Sequence, residues 1–435
     1  MPGFGWFSIV RLGLVQAAIG AMVMLSTSLL NRVMVVEYAL AAAIPAGLVA
    51  WHYAVQFTRP LWGHGSDRGR RRTPWILGGL AILASGSLLA AYATISMAGQ
   101  QGLAMILAIV AFTLIGLGVG AGGTSMLALL ASGVAPERRS AAAAVTWIMM
   151  VAGIVLSAAI AGSLLDPFSP ARLVAVSGGV ATCALVVAAL AVFRLEHGQG
   201  AAGASARSEP PARLADALRE IRQEREARQF TIFIFVSMLA YSMQDLILEP
   251  FAGLVFGMTP GQSTQLAGIQ HGGVLAGMIL AGIGGSAFAG RLPVDLRYWI
   301  VTGCAGSAAA LAGLAAGAVH GSGWPLAANV FVLGFFNGLF AVAAIGAMMG
   351  LAGAGRTTRE GVRMGVWGAA QAIAFGLGGL TGALGVDLAR RMQSQDGLAF
   401  QLIFAIEAAL FVFAALLAVQ VARRSQQLTA EAASA

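Results

Sequence analysis

The sequence predicts an all-α integral membrane protein in which twelve transmembrane helices form two halves of six. Hydrophobic residues make up 58% of the chain and charged residues only 10%, whereas about 25% charged residues is usual in soluble domains. Apolar windows of about 20 residues, the length that spans a bilayer, recur along the chain. One long polar stretch at 195–228 separates these windows into two groups of six.

The predicted spans are the apolar windows themselves, taken in order. They lie near residues 11–30, 38–57, 74–95, 102–131, 141–163, 171–193, 229–256, 264–289, 296–318, 323–351, 364–386 and 398–421. The 58 glycines suit this class, because small residues let helix backbones approach closely in lipid. The predicted organisation is an N-terminal six-helix bundle at 1–194, a linker at 195–228, a C-terminal six-helix bundle at 229–424 and a tail at 425–435.

The distribution of charge predicts the orientation in the membrane. All 26 basic residues are arginine, and the net charge is +8. Most of these arginines lie in one set of alternate loops, in the linker and near the C-terminus. By the positive-inside rule these segments and both termini are cytoplasmic. The net charge therefore indicates membrane topology and contact with anionic lipid, and nucleic acid is not an expected partner.

The two halves resemble each other weakly in sequence. His52 and His271 occupy corresponding places in the second and eighth spans. The segment 31–37 likewise corresponds to 244–249, with one residue inserted in the first segment. Two parallel six-helix repeats are typical of the major facilitator architecture, in which binding sites form near the middle of the membrane between the halves.

The loop after the second span carries a charged motif that begins at Gly63. It resembles the G-x-x-x-D-R-x-G-R-R loop of the major facilitator superfamily. The resemblance implies a cytoplasmic loop between helices 2 and 3, in which Asp and Arg form a charge network that helps to hold the two bundles together. The positions concerned are Gly63, Asp67, Arg68, Gly69, Arg70 and Arg71, of which the last three come one residue earlier than in the motif as written.

Three segments combine polar residues with apolar surroundings: 242–258 (SMQDLILEPFAGLVFGM), 30–37 (LNRVMVVE) and 365–379 (GVWGAAQAIAFGLGG). They closely resemble the PucC/LhaA family of phototrophic bacteria, also called the bacteriochlorophyll delivery family. The resemblance implies light-harvesting complex assembly or bacteriochlorophyll delivery in the bacterial inner (intracytoplasmic) membrane. It implies bacteriochlorophyll or a precursor as ligand, and light-harvesting polypeptides and pigment-synthesis enzymes as partners. Three members fit the resemblance: the antenna assembly factors for the peripheral and for the core complexes, and a paralogue encoded with bacteriochlorophyll synthesis genes. The short C-terminal tail favours the last.

Two carboxylates inside the seventh span are candidate functional residues, because a charge at the bilayer centre costs roughly 2.5–3.5 kcal/mol on insertion scales. Asp245 and Glu249 share one helix face, and Pro250 is expected to kink or end the helix there. Three roles stay open: a structural ion pair with Arg32, proton coupling, and ligation or hydrogen bonding of a tetrapyrrole. Comparison of the halves predicts a polar cluster near the non-cytoplasmic end, formed by Asn31, Arg32, Glu37, Gln244, Asp245 and Glu249.

His52 and His271 are candidate pigment ligands. Chlorin magnesium is a hard cation that commonly accepts one axial ligand, such as imidazole, a carboxylate or water. The competing interpretation is that each histidine forms a hydrogen bond to a neighbouring helix.

No motif indicates an enzyme. The sequence contains no intact nucleotide-binding loop, no His/Cys spacing typical of a metal site and no nucleophile elbow. The two rival functions are a proton-coupled exporter of small amphipathic molecules and a membrane scaffold that does not transport. The sequence leaves open which pigment is bound and whether transport occurs.

Overall fold

The computed structural model describes most of the chain. The described residues are 4–59, 62, 66, 71–135, 138–196, 225–284, 296–353, 360–393 and 395–434. Most of the predicted linker lies outside them. So do Gly63, Asp67, Arg68, Gly69 and Arg70 of the loop motif, whereas Arg71 is exposed just before the third helix.

A helix occupies each of the twelve predicted spans within this part of the chain, and no strand is found there. The helices are α1 Trp6–Glu37, α2 Ala43–Val55, α3 Thr73–Ser96, α4 Gln101–Gly133, α5 Arg139–Leu165, α6 Pro170–Val192, α7 Arg225–Phe256, α8 Pro260–Gly284, α9 Leu296–His320, α10 Leu326–Gly353, α11 Glu360–Met392 and α12 Asp396–Ser434. Nine stretches among the described residues are long and apolar enough to cross a membrane. The predicted all-helical membrane class is therefore confirmed.

Helix α1 is not uniformly α-helical. Two π-helical segments, Leu25–Leu29 and Val33–Glu37, lie on either side of the short α-helical segment Leu30–Arg32. In a π-helix each hydrogen bond reaches five residues along the chain, and single π turns within α-helices are frequent at functional sites. Asn31 and Arg32 are both buried between these two segments.

Helix α7 continues through Pro250 and ends at Phe256. Of the two expected effects of Pro250, a kink or an end of the helix, the structure excludes the end. The helix ends instead at Gly257, which has a positive φ of 66° and donates its N–H to the carbonyl of Gly253 at 3.2 Å. A glycine in this left-handed conformation is a common helix terminator, because it has no Cβ to clash.

Contacts divide the chain into two compact units. The first contains residues 1–206 together with 245–271, and the second contains 207–244 together with 272–435. Helix α7 therefore contributes to both units, as does α8. The sequence-based bundle boundaries stay a prediction.

Glycines in the first unit and aromatic rings in the second form close packing contacts between helices. In the first unit, α3 packs on α4 through glycines: a Cβ at Gly79 would overlap the backbone of Gly122. Such close backbone approach is typical of helix packing in lipid. In the second unit, the Phe340 ring packs edge-to-face with Phe233, at a centroid distance of 6.5 Å, and with Phe411 at 6.0 Å.

The start of α3 is capped by a side chain from beyond the end of α6. The Glu196 carboxylate accepts hydrogen bonds from the backbone N–H of Arg72 and of Thr73, both at 2.9 Å, and from the Thr73 hydroxyl at 2.5 Å. Partial burial raises the pKa of Glu196, but these hydrogen bonds and the nearby Arg72 charge outweigh it and lower the pKa overall. The ionised form therefore stabilises the first unit.

We predict that Glu196→Gln lowers the midpoint of thermal unfolding at neutral pH, since a lost helix cap costs about 0.5–2 kcal/mol. Because the folded-state pKa is depressed, this stabilisation is complete above the ordinary carboxyl pKa and is lost as pH falls through the folded-state value. The difference in unfolding midpoint between wild type and Glu196→Gln should therefore become smaller at acid pH. Thermal unfolding of the detergent-purified proteins at several pH values measures it, and a difference that does not change with pH would contradict this account.

Candidate functional site

The last turns of α1 and α7 and the first turn of α8 bring polar side chains together inside the first compact unit. We call this group the polar cluster. It contains Ser28, Asn31, Arg32, Glu37, Glu249, Ser263 and Thr264. Four of these residues, Asn31, Arg32, Glu37 and Glu249, are among the predicted site residues.

Glu249 is buried, with 1% of its surface exposed. One carboxylate oxygen accepts a hydrogen bond from the Ser28 hydroxyl of α1. The other accepts from the hydroxyls of Ser263, at 3.2 Å, and Thr264, at 3.4 Å, in the first turn of α8. Hydroxyl donors from two other helices thus satisfy both oxygens, as a buried carboxylate requires.

Arg32 is equally buried, at 1% exposure, but its salt bridge is local. Its guanidinium binds the Glu37 carboxylate on the same helix and donates to the carbonyl of Met258 at 2.6 Å. Of the three roles left open for Asp245 and Glu249, the structure does not show the ion pair with Arg32, which binds Glu37 instead. Gly253 leaves the room for this arrangement, because a Cβ there would lie 3.2 Å from an Arg32 nitrogen.

Asn31 compensates for Pro250. Proline has no N–H, so the carbonyl four residues earlier in the helix, that of Leu246, lacks its usual donor. The Asn31 side-chain amide donates to this carbonyl at 2.6 Å. Membrane helices tolerate proline where a neighbouring helix supplies such a donor, which explains why α7 continues past Pro250.

Helix α8 is also attached to α5, close to the polar cluster in sequence. The Asp166 carboxylate, just after α5, accepts from the Thr259 hydroxyl at 2.6 Å and from the Gly261 N–H at 3.3 Å. An acidic cap suits the positive end of a helix dipole. The backbones are close: a Cβ at Gly261 would lie 2.6 Å from the carbonyl oxygen of Gly162 and 2.5 Å from the Asp166 carboxylate.

Asp245 and Gln244, the other two residues predicted to belong to this cluster, have different surroundings. Asp245 is partly exposed, and no described residue donates a hydrogen bond to its carboxylate. Gln244 belongs to the second unit and is fully buried. Neither polar atom of its side chain has a hydrogen-bond partner among the described residues. The two carboxylates of α7 thus differ: Glu249 accepts hydrogen bonds from hydroxyl groups, whereas Asp245 accepts none from the described residues.

The two candidate pigment-ligand histidines also differ. The Nδ1 of His52 lies 3.2 Å from the Val49 carbonyl, and its Nε2 lies 2.9 Å from the Gln56 amide nitrogen. Arg59 holds the other end of the Gln56 amide, so that the amide donates to the histidine. Both ring nitrogens of His52 are therefore occupied.

His271 has one nitrogen in use. Its Nδ1 lies 2.9 Å from the carbonyl of Ala267, so Nδ1 carries the proton and Nε2 carries the lone pair. No described residue forms a hydrogen bond with this Nε2, and the side chain is partly exposed. Of the two histidines, His271 has the free nitrogen that a metal ligand needs.

Sequence reasoning missed several residues of this region. Ser28, Ser263, Thr264 and Asp166 all provide hydrogen bonds between helices. The only sequence signal was the position of Asp166 beside a helix end. Small hydroxyl residues are frequent in membrane helices, so their sequence positions alone do not show which of them meets a carboxylate.

Comparison with known protein families shows which family this chain is related to. The profile described as "PUCC protein" matches residues 29–426. The chain belongs to the PucC family. This confirms the resemblance found in the three sequence segments.

Individual PucC relatives are similar over nearly their whole length. The chain is 51% identical over 418 residues to the "Bacteriochlorophyll synthase 44.5 kDa chain" of Rhodobacter capsulatus, with 95% of each chain covered. It is 31% identical over 420 residues to "Protein PucC" of Cereibacter sphaeroides, covering 92% of this chain and 88% of that one.

Solved structures similar to this PucC family member are transporters. A bacterial homologue of the peptide transporters PepT1 and PepT2 superposes with a TM-score of 0.71 at 13% identity, covering 97% of this chain and 99% of that one. A bacterial homologue of the lysosomal transporter Spinster gives 0.67 at 14% identity, covering 95% and 96%. These similarities show the major facilitator fold and, at such identities, the fold alone.

We predict that Asn31→Ala destabilises this PucC family member by about 1–3 kcal/mol, because the buried Leu246 carbonyl loses its donor. In a Pro250→Ala background the loss should be much smaller, since residue 250 then supplies an N–H. A double-mutant cycle on thermal stability measures this coupling.

The control for this cycle is Asn329→Ala, which removes a similar bond from a side-chain amide to the Ala310 carbonyl, 2.8 Å long, in the second unit. The loss of stability caused by Asn329→Ala should be the same with or without Pro250. Equal losses for Asn31→Ala in both backgrounds would refute the compensation.

We also predict that Gly261→Ala destabilises the fold by about 1–3 kcal/mol, because the new methyl group overlaps Asp166 and the Gly162 backbone. The matched control is Gly47→Ala in α2, where no atom lies within 4 Å of the added Cβ. That change should be neutral or slightly stabilising, because alanine favours a helix. Thermal unfolding compares the two, and a harmless Gly261→Ala would show that the α5–α8 approach is loose.

Proposed function

We propose that this PucC family member binds bacteriochlorophyll or a precursor within the membrane and delivers it during the assembly of light-harvesting complexes. The observation that carries this proposal is the 51% identity, over 95% of both chains, to a protein named for bacteriochlorophyll synthesis. Relatives named PucC support it further. On this proposal the partners are light-harvesting polypeptides and pigment-synthesis enzymes.

The geometry of His271 supports a pigment site on α8. His271 would hold the magnesium of a tetrapyrrole through Nε2, because a neutral imidazole whose other nitrogen is protonated and hydrogen-bonded is well suited to metal ligation. The Ala267 carbonyl fixes that state of His271. When bound, the pigment would supply light absorption, and the protein would hold and orient it.

We assign this chain a carrier role and no catalytic one. The carboxylates of the polar cluster are bound by hydroxyls or by Arg32. These groups stabilise the helix ends.

We further propose that the protein lies in the bacterial inner (intracytoplasmic) membrane with both termini cytoplasmic. The support is the distribution of arginine in the sequence. In the first unit, Arg11 and Arg138 lie over the rings of Phe7 and Trp6, both exposed near the start of α1. Aromatic residues beside arginines are typical of a membrane–water interface.

The test is pigment binding by the purified protein. We predict that protein purified from cells that assemble antenna complexes shows tetrapyrrole absorption bands. His271→Ala should weaken bacteriochlorophyll binding by at least about tenfold, or about 1.4 kcal/mol, because the axial nitrogen is lost. Spectrophotometric titration in detergent measures the affinity, with His320→Ala at the end of α9 as the control.

Two results would argue against this function. A protein free of tetrapyrrole under conditions in which its antenna complexes assemble would contradict pigment carriage and favour a scaffold. Substrate flux that collapses with the proton gradient, without any effect on antenna assembly, would favour an exporter. Deletion of the gene should remove antenna complexes while the cells keep their capacity for pigment synthesis.

A further inference from the structure

Arg11 and Arg194 both contact Phe193, the residue that follows the end of α6. The Nε of Arg11, near the start of α1, donates to the carbonyl of Ala191 at 2.8 Å, and its Nη2 donates to the carbonyl of Phe193. The guanidinium of Arg194 lies over the ring of the same Phe193, 5.3 Å from its centroid. We call Arg11 and Arg194 the arginine pair.

Arg194 has a backbone conformation that suits glycine better than arginine. Its φ is 55°, and the carbonyl of Val192 accepts a hydrogen bond from the N–H of Leu195 at 3.0 Å. A tight turn with a positive φ at its third residue usually has glycine or asparagine there. The turn leaves Phe193 and Arg194 exposed on the outside of the first unit. Such strained positions occur preferentially where a side chain has a function.

Within the described part of the chain, no carboxylate forms a salt bridge with the arginine pair. The sequence of α1 has no acid before Glu37. The carboxylate of Glu196, two residues after Arg194, is bound by the start of α3. A guanidinium has five N–H donors, of which Arg11 uses two on carbonyls. Three donors of Arg11 and those of Arg194 therefore remain for an anion.

Exposed apolar side chains extend from the arginine pair along the outer faces of α1 and α6. On α1, Phe7, Val10 and Leu14 are exposed and recur at spacings of three and four, so they share one helix face. On α6, Val187 and Leu190 are exposed. The two helices pack against each other. We call these five side chains the exposed strip, which leads from the helix ends into the apolar spans.

We propose that the arginine pair binds the phosphate of an anionic phospholipid whose acyl chains lie along the exposed strip. Guanidinium groups match the geometry of phosphate through their paired N–H donors. Two positive charges without a carboxylate partner favour a headgroup with a net negative charge over a zwitterionic one. The exposed rings of Phe7 and Phe193, beside these charges, suit the level of the headgroups. Charge and apolar surface are thus arranged as in the lipid.

This site is separate from the pigment site proposed at His271. It requires only that the start of α1 and the end of α6 lie at a membrane surface. Phospholipid binding can be measured on pigment-free protein, so a failure of the proposed pigment binding would leave this proposal intact. A bound phospholipid would join α1 to α6 beside the Glu196 cap of α3 and would stabilise the first unit.

Native mass spectrometry of the detergent-purified, pigment-free protein tests the proposal, with phosphatidylglycerol and phosphatidylcholine of identical acyl chains as probes. Wild type should bind phosphatidylglycerol at least about fivefold more tightly, the factor that one arginine contributes near anionic lipid. Arg194→Gln should weaken phosphatidylglycerol binding about fivefold and leave phosphatidylcholine binding unchanged. The matched control is Arg172→Gln in the first turn of α6, at its opposite end, which should bind both lipids as wild type does.

Arg194→Gly separates lipid binding from folding. Glycine adopts a positive φ without strain, so without added phosphatidylglycerol this variant should unfold at the same temperature as wild type or at a higher one. It should nevertheless bind phosphatidylglycerol as weakly as Arg194→Gln. A residue that served only to stabilise the turn would give the opposite result, a less stable protein with unchanged lipid binding.

Three results would overturn the proposal. The first is equal affinity of wild type for the two phospholipids. The second is phosphatidylglycerol binding by Arg194→Gly and Arg194→Gln that matches wild type. The third is displacement of phosphatidylglycerol by millimolar inorganic phosphate, which would show a site for small anions rather than for a phospholipid. Phosphatidylglycerol that stays bound in inorganic phosphate supports the role of the exposed strip.

Discussion

The hydrogen bond from Asn31 to the Leu246 carbonyl is the interaction on which the arrangement of α1, α7 and α8 depends. Pro250 removes the helical donor for this carbonyl, and a bilayer offers no water to replace it. Because the donor comes from α1, the last turns of α7 are tied to that helix. Glu249 and Met258, further along, then reach Ser28 and Arg32.

Buried polar groups need hydrogen-bond or ion-pair partners, and this requirement also explains which residues pair within the polar cluster. Arg32 has Glu37 on its own helix, so its charge is neutralised without a partner from α7. Glu249 is thereby left to hydroxyl donors, which fix its position without a salt bridge. The first turn of α8 is bound from two sides, by Glu249 and by Asp166.

Sequence reasoning predicted the fold and part of the site. Apolar length located every described span, and the family motifs located Asn31, Arg32, Glu37 and Glu249. It could not predict the hydrogen-bond partners of these residues, because hydrogen bonds between helices depend on which helix faces meet. That α7 continues past Pro250 could not be predicted for this reason, since the compensating donor comes from a different helix. The difference between His52 and His271 likewise rests on Gln56, whose amide orientation follows from Arg59.

The π-helical segment Val33–Glu37 has a consequence for comparing the two halves. Arg32 and Glu37 are five residues apart, whereas Asp245 and Glu249 are four apart. A π turn closes over five residues and an α turn over four, so each pair stacks across one turn of its own helix. An alignment of the halves should place its gap within this segment. Without that gap, Glu37 would be matched with Pro250 instead of Glu249, a position about 100° further round the helix.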